Sequence, residues 1–198
     1  MRKAIAVAAV VACVAFAALV IGVSTNAFSA FGASGAFGTS GAATAISCPA
    51  AAPVTVGQIT VPAGPVAGYC QDRLINAAQI MSAARAQGIG THTQAVGVMT
   101  AMGESGLRVL DYGDAAGPDS RGLFQQRDNG AWGTLADRMD PYTSATNFFN
   151  KLTSLDGWKT MSPTEAAHAV QVNDDPNHYV PFWAGAQRIV AALSPSGG

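Results

Sequence analysis

Glu104 is the residue of this chain best placed for proton-transfer chemistry. It is one of two glutamates in 198 residues, and it follows an almost wholly apolar stretch, Ala95 to Met102. A carboxyl at the exit of a buried helix is costly to keep charged. Its pKa is expected to rise toward the range in which a general acid works near neutral pH. The other glutamate, Glu165, stands three residues after Ser162 in Ser-Pro-Thr-Glu, the signature of a capping box at a helix start. One glutamate therefore reads as structural and the other as placed for chemistry. The competing reading of Glu104 is a helix-end carboxylate held by Arg108.

Further residues able to contact a ligand follow Glu104. Ser120-Arg-Gly-Leu-Phe-Gln-Gln-Arg127 combines a glycine turn, an apolar anchor and the amide of Gln125, which can hydrogen-bond sugar hydroxyls or N-acetyl groups without adding charge. Trp132 and Trp158 offer flat faces of the kind that stack on sugar rings, although tryptophans at such positions more often belong to a core. Asp111, Asp114 and Asp119 lie between Glu104 and this segment. Their spacing fits no EF-hand, so turn formation is the expected role, with Asp114 the candidate for an auxiliary carboxylate. Arg121 and Arg127 either touch a ligand or brace the loop. His92, His168 and His178 have no metal-ligand spacing, so no metal site or cofactor is expected.

The elements that position these residues are helical. Gln71 to Gln87 carries Leu74, Ile75, Ala78 and Met81 at helical spacing and stops at Gly88 and Gly90. Thr91 or Thr93 is expected to cap a second helix that ends near Gly103 to Gly106. Leu107 to Asn129 reads as a long functional loop. Asp140-Pro141 is an N-cap with proline at the first helical position. That helix carries Ala145, Phe148, Phe149 and Leu152. Ser162-Pro163 opens a helix through Val172, and Asp175-Pro176 opens a last one toward Leu193, kinked or broken at Pro181. The fold class expected is all-α or α-dominated, with about five helices.

The rest of the chain differs in kind. Between Lys3 and Asp72 there is no charged residue, while all twelve acids lie from Asp72 onward. Met1-Arg-Lys precedes twenty apolar or small residues, Ala4 to Val23. This pattern is that of an export signal, and its length also allows an uncleaved membrane anchor. Residues 1–27 are therefore read as signal peptide or anchor. Residues 28–66, rich in Ala, Gly, Ser and Pro, read as a flexible linker. Residues 67–198 form the domain. Val54 to Val61 alternates weakly, which fits either a short strand or a locally packed linker. Cys48 and Cys70 are expected to form one disulfide in an exported chain. The net charge of −1 gives no indication of a nucleic-acid partner.

Glu104-Ser105 followed by Gly122-Leu-Phe-Gln125 resembles the Glu-Ser and Gly-Leu-Met-Gln motifs of lytic transglycosylases in the lysozyme-like superfamily. Gly103 to Leu107, Leu110 to Asp114, Gly122 to Arg127 and Trp132-Gly133 resemble a group of exported actinobacterial lysozyme-like domains. The resemblance spans residues 70–193. It implies a lysozyme-like helical domain that cleaves the β-1,4 bond between N-acetylmuramic acid and N-acetylglucosamine, with glycan strands of peptidoglycan as partner and no cofactor. Glu104 matches the general acid. Gln125 matches the amide that orients substrate. Ser105, Gln126, Tyr112 and Trp132 fall within the matched motifs as further substrate contacts. The usual third motif, Ala-Tyr-Asn-Ala-Gly, is absent, and Ala169-Val-Gln171 and His178-Tyr179 stand in its region. The choice between transglycosylase and hydrolase therefore stays open. The alternative class is a non-catalytic cell-wall-binding or envelope-complex module on the same fold. Either function implies an exported protein, secreted, held at the cell wall or anchored on the outer face of the cytoplasmic membrane.

Overall fold

Helix α2 (Thr91–Ser105) is buried almost all round, from Gln94 to Met102, and the other elements are arranged about it. A helix apolar on every side must be enclosed. Its neighbours are α1 (Gln71–Ala86), α4 (Pro141–Thr153), α5 (Pro163–Gln171) and α6 (Trp183–Leu193). A short helix, α3 (Leu135–Met139), precedes α4, and 3-10 turns occur at Trp158–Thr160 and Val180–Phe182. The computed structural model describes residues 46–194, and these are helix-dominated, in agreement with the fold class expected. Residues 1–27, read from the sequence as signal peptide or anchor, and the first part of the expected linker lie outside the described residues. No helix among the described residues is long and apolar enough to cross a membrane.

Close helix packing depends on a missing side chain. A Cβ on Gly97 of α2 would lie 2.5 Å from Phe149 Cζ and 3.0 Å from Ile80 Cγ2. Glycine there lets α1 and α4 approach α2. Phe148 and Phe149 are fully buried, and Phe148 stacks on Phe124 at 4.8 Å between ring centroids.

Capping follows the sequence at two of the expected starts. Asp140 accepts from Thr143 N at 2.7 Å, and Pro141 opens α4. Ser162 and Glu165 form the capping box of α5. Two expectations fail. Neither Thr91 nor Thr93 caps α2; Gly90 holds that position without a side-chain bond. No helix opens at Asp175-Pro176. Asp175 instead accepts from Asn177 N at 2.8 Å in a turn, and the chain becomes α-helical only at Trp183, after the 3-10 turn that contains Pro181. Helix α3, which the sequence reading did not include, has its own capping box from Thr134 and Asp137.

The linker reading of residues 28–66 is corrected at its end. Val54–Val56 (β1) and Ile59–Val61 (β2) pair antiparallel, with Val54 opposite Val61 and Val56 opposite Ile59. Ile59 and Val61 point into the core at 2% and 0% exposure, so this stretch packs as part of the domain rather than as a tether. Gln71 Nε2 donates to Ala52 O at 2.7 Å and to Val61 O at 3.3 Å. The disulfide Cys48–Cys70, over a separation of 22 residues, joins the segment before the hairpin to the start of α1. Closing a loop of that size stabilises a fold by about 3 kcal/mol in the chain-entropy account.

Candidate active site

The exit of α2 is clamped from several directions, and that clamp positions Glu104. Gly106 and Leu107 both take positive φ, 60° and 61°, so the chain turns sharply just after the helix. Leu107 is fully buried, and its backbone holds a conformation that costs a non-glycine residue energy. Arg73 Nη1 donates to Gly106 O at 2.7 Å, and Asn76 Nδ2 donates to Leu107 O at 2.9 Å. These bonds satisfy the carbonyls of the two residues just past the helix end. Arg108 Nε donates to Ser105 O at 3.0 Å. Arg108 therefore serves the backbone, and among the described residues no ion pair involves Glu104.

Ser105 ties this exit to the Gly-Leu-Phe-Gln turn. Its hydroxyl donates to Leu123 O at 2.8 Å and accepts from Arg108 N at 3.1 Å. At 4% exposure it is enclosed, so the expectation that Ser105 contacts substrate is replaced by a bracing role. The turn itself is a narrow loop in which Arg121 and Gln126 exchange backbone bonds at 3.1 and 3.0 Å. Leu123 and Phe124 fill the core beneath it. Gly122 has φ 77°, and a Cβ there would lie 1.9 Å from Arg138 O, so only glycine fits. Buried Arg138 pairs with Asp128 at 2.9 Å and braces the same loop.

Gln125 and Gln126 diverge. Gln125 lines the open cleft with positive φ, its Nε2 donating to Gly122 O at 3.1 Å. Gln126 is 2% exposed and donates to Ser144 O at 3.0 Å. A substrate-binding role for Gln126 gives way to one of joining the loop to α4. Tyr112 is 57% exposed on the cleft wall. Trp132 also reaches the cleft but is only 8% exposed, so it supports the wall more than it presents a face. Trp158 is half-buried against the core and lies outside the cleft lining. Asp114 lines the cleft, with Oδ1 accepting from Ala116 N at 3.0 Å and Gly117 N at 2.7 Å. Arg127 pairs with Asp119, and Arg121 donates to Pro118 O at 2.8 Å, so both brace the loop.

The cleft holds about 840 Å³ and is open to solvent on one side, with Glu104 in its wall. Burial raises the Glu104 pKa above the usual carboxylate value, and the nearby Asp114 charge adds to the rise. The Tyr179 hydroxyl, His178 and the Gln171 amide oppose it by favouring the charged form. Desolvation outweighs them, which suits a group that must hold a proton to donate it.

Tyr179 was not among the sequence candidates, yet it makes the closest contact. Its side chain is fully buried and its hydroxyl donates to Glu104 Oε1. Burial and the Glu104 charge raise the Tyr179 pKa, so it stays a donor throughout the working pH range. Asn173 Nδ2 donates to the Tyr179 hydroxyl at 2.8 Å, and Asn173 Oδ1 lies 3.1 Å from His168 Nδ1. Gln171 Nε2 donates to Phe124 O at 2.5 Å, joining the end of α5 to the turn that carries Gln125. A Cβ on Gly103 would lie 2.8 Å from Tyr179 Cδ1, so that glycine makes room for the ring. The available signal was the polar run from Gln171 to Tyr179, standing where the third motif is missing.

A second hollow, of about 370 Å³, lies near the start of α2 beside His92 and Trp183 and contains no carboxyl group. Compared with known proteins, the chain matches no family model and no curated protein.

Proposed function

We propose that the domain is a peptidoglycan-cleaving glycosidase of lysozyme-like type, with Glu104 as general acid and then base on the bond between N-acetylmuramic acid and N-acetylglucosamine. The observation that carries this reading is a carboxyl in the wall of an open cleft whose pKa burial raises, with a tyrosine hydroxyl holding one of its oxygens. In the protonated form Glu104 gives its proton to the leaving glycosidic oxygen. As a carboxylate it then removes the proton from the incoming nucleophile.

Asp114 does not supply a clear second carboxylate, because Oδ1 is committed to two backbone N–H groups. A single-acid route is favoured, in which the muramyl 6-hydroxyl closes an anhydro ring. Gln125 and the exposed face of Tyr112 are the residues best placed to hold the glycan.

The test is to incubate the protein and its Glu104→Gln variant with purified peptidoglycan and to identify soluble fragments by mass spectrometry. Anhydromuramyl ends are expected, and only from the unaltered protein. Reducing ends would assign a hydrolase. Intact sacculi that retain the protein would replace the enzyme by a cell-wall-binding module. Equal cleavage by Glu104→Gln would remove the assignment of the acid.

A further inference from the structure

The Tyr179 hydroxyl has one proton and two lone pairs, and two groups, Asn173 and Glu104, share them. Asn173 Nδ2 donates to this hydroxyl at 2.8 Å. With a lone pair so occupied, the single hydroxyl proton goes to Glu104 Oε1. The orientation of the Asn173 amide is itself set from behind. Its Oδ1 faces His168 Nδ1 at 3.1 Å, which requires a proton on that nitrogen. The sense of the whole chain therefore runs from His168 through Asn173 and Tyr179 to Glu104.

We propose that Asn173 and His168 are positioning residues that act through Tyr179 to decide which oxygen of Glu104 carries the transferable proton. Oε1 accepts from Tyr179 in both protonation states, so the proton resides on Oε2. Turning the Asn173 amide over reverses the chain. Its Oδ1 would then take the tyrosine proton, and Glu104 would have to direct its own proton at Tyr179. A proton held there is not available to a glycosidic oxygen. His168 prevents the reversal whether it is the neutral Nδ1–H tautomer or the imidazolium, because both present a donor to Asn173. The proposal rests on the reading of Glu104 as an acid, and its test needs no substrate, so the two can fail separately.

The chain has only two glutamates, and protein labelled with 13C at the glutamate carboxyl carbon gives two signals. Glu165→Gln assigns them. The Glu104 midpoint is then read by titration of the full chain, with the other groups that face it, His178 and Asp114, left in place. Tyr179→Phe is expected to raise the midpoint by roughly one pH unit, as loss of a hydrogen bond to a charged group would. Asn173→Ala should raise it in the same direction by less. Asn173→Asp should raise it more than Asn173→Ala, because a second carboxylate competes for the tyrosine proton and adds charge. His168→Ala should also raise it, and His168→Gln, which keeps an N–H donor, should return it toward the unaltered value.

In the Tyr179→Phe background, Asn173→Ala should have no further effect. An Asn173→Ala shift that persists in that background would overturn the proposal, since the residue would not then act through Tyr179. An unchanged midpoint in Asn173→Ala beside a shifted Tyr179→Phe would overturn it equally. Should Asn173→Ala fail to fold, the His168→Ala and His168→Gln pair decides, and equal midpoints in the two would sink the proposal.

Discussion

The exit of α2 and the entrance of α5 each place a glutamate at a helix end, and the two carboxyls are driven in opposite directions. Glu165 is exposed at a helix start, where the Ser162 hydroxyl and backbone N–H hold its carboxylate and lower its pKa. Glu104 is enclosed in the last turn of a buried helix, where desolvation raises its pKa. At a helix start the free N–H groups welcome negative charge; at a helix end the free carbonyls do not. The first site uses a carboxylate to build structure. The second accepts an electrostatic penalty, which the proposed role as general acid would use.

The sharpest way to break this contrast is activity. Glu104→Gln should reduce peptidoglycan cleavage by about 10³-fold, within the range that one acid–base group contributes. Glu165→Gln should leave cleavage unchanged. Equal losses in the two variants would mean that Glu104 contributes only to the fold.

Next in size is the fit of Tyr179 against α2. Gly103→Ala puts a methyl where the ring now lies, and cleavage should fall by about tenfold to a hundredfold, as a small misplacement of an acid can cost. The carboxyl signal of Glu104 should titrate at higher pH in the same variant, because the hydroxyl no longer supports its charge. Cleavage at the unaltered rate with an unmoved titration would show that Tyr179 tolerates displacement.

Cleavage by the unaltered protein should also fall as pH rises through the raised Glu104 pKa, since the acid must be protonated. A rate insensitive to pH from the ordinary carboxylate range up to neutrality would disagree.

Stability against pH separates the two glutamates by sign. Glu104 binds its proton more tightly folded than unfolded, so its contribution to stability falls as pH rises from the unfolded glutamate pKa through the raised folded one. Glu104→Gln should therefore unfold at a higher temperature than the unaltered protein at neutral pH. Glu165 behaves oppositely. Its contribution is present above the unfolded pKa and is lost as pH falls through the depressed folded one. Glu165→Gln should melt lower at neutral pH, with the difference closing in acid. Parallel shifts of the two variants in thermal scans at neutral and acid pH would erase the distinction.

The smallest effect tests the structural side alone. Ser162→Ala should cost about 1 kcal/mol through the lost N-cap, a fall of about 2–4 °C in Tm, with cleavage intact. A loss of cleavage from Ser162→Ala would show that α5 transmits strain to Gln171 and Asn173, and that the two regions are coupled.

Much of this was legible from residue types and spacing. The capping boxes and N-caps rest on contacts within three or four residues, so Ser162, Glu165 and Asp140 could be read directly. The apolar run before Glu104 announced a buried helix and a costly carboxyl. The Cys48–Cys70 pairing followed from counting two cysteines in a segment whose sequence reads as exported. The hairpin at Val54–Val61 was harder, because three-residue strands carry too little alternation to separate them from a packed linker.

What sequence alone determined is therefore the helical class, the caps at Asp140 and Ser162 and the suspicion attached to Glu104. Only the tertiary structure decided that Ser105 and Gln126 face inward, that Arg108 serves a backbone carbonyl, and that Tyr179 lies against Glu104 although 75 residues separate them. The reason is physical. Helix periodicity and capping are set by neighbours along the chain, whereas the direction of a polar side chain at a cleft depends on which distant backbone groups and hydroxyls packing brings within about 3 Å. The line from His168 through Asn173 and Tyr179 to Glu104 exists only because α5, the turn after it and the end of α2 meet.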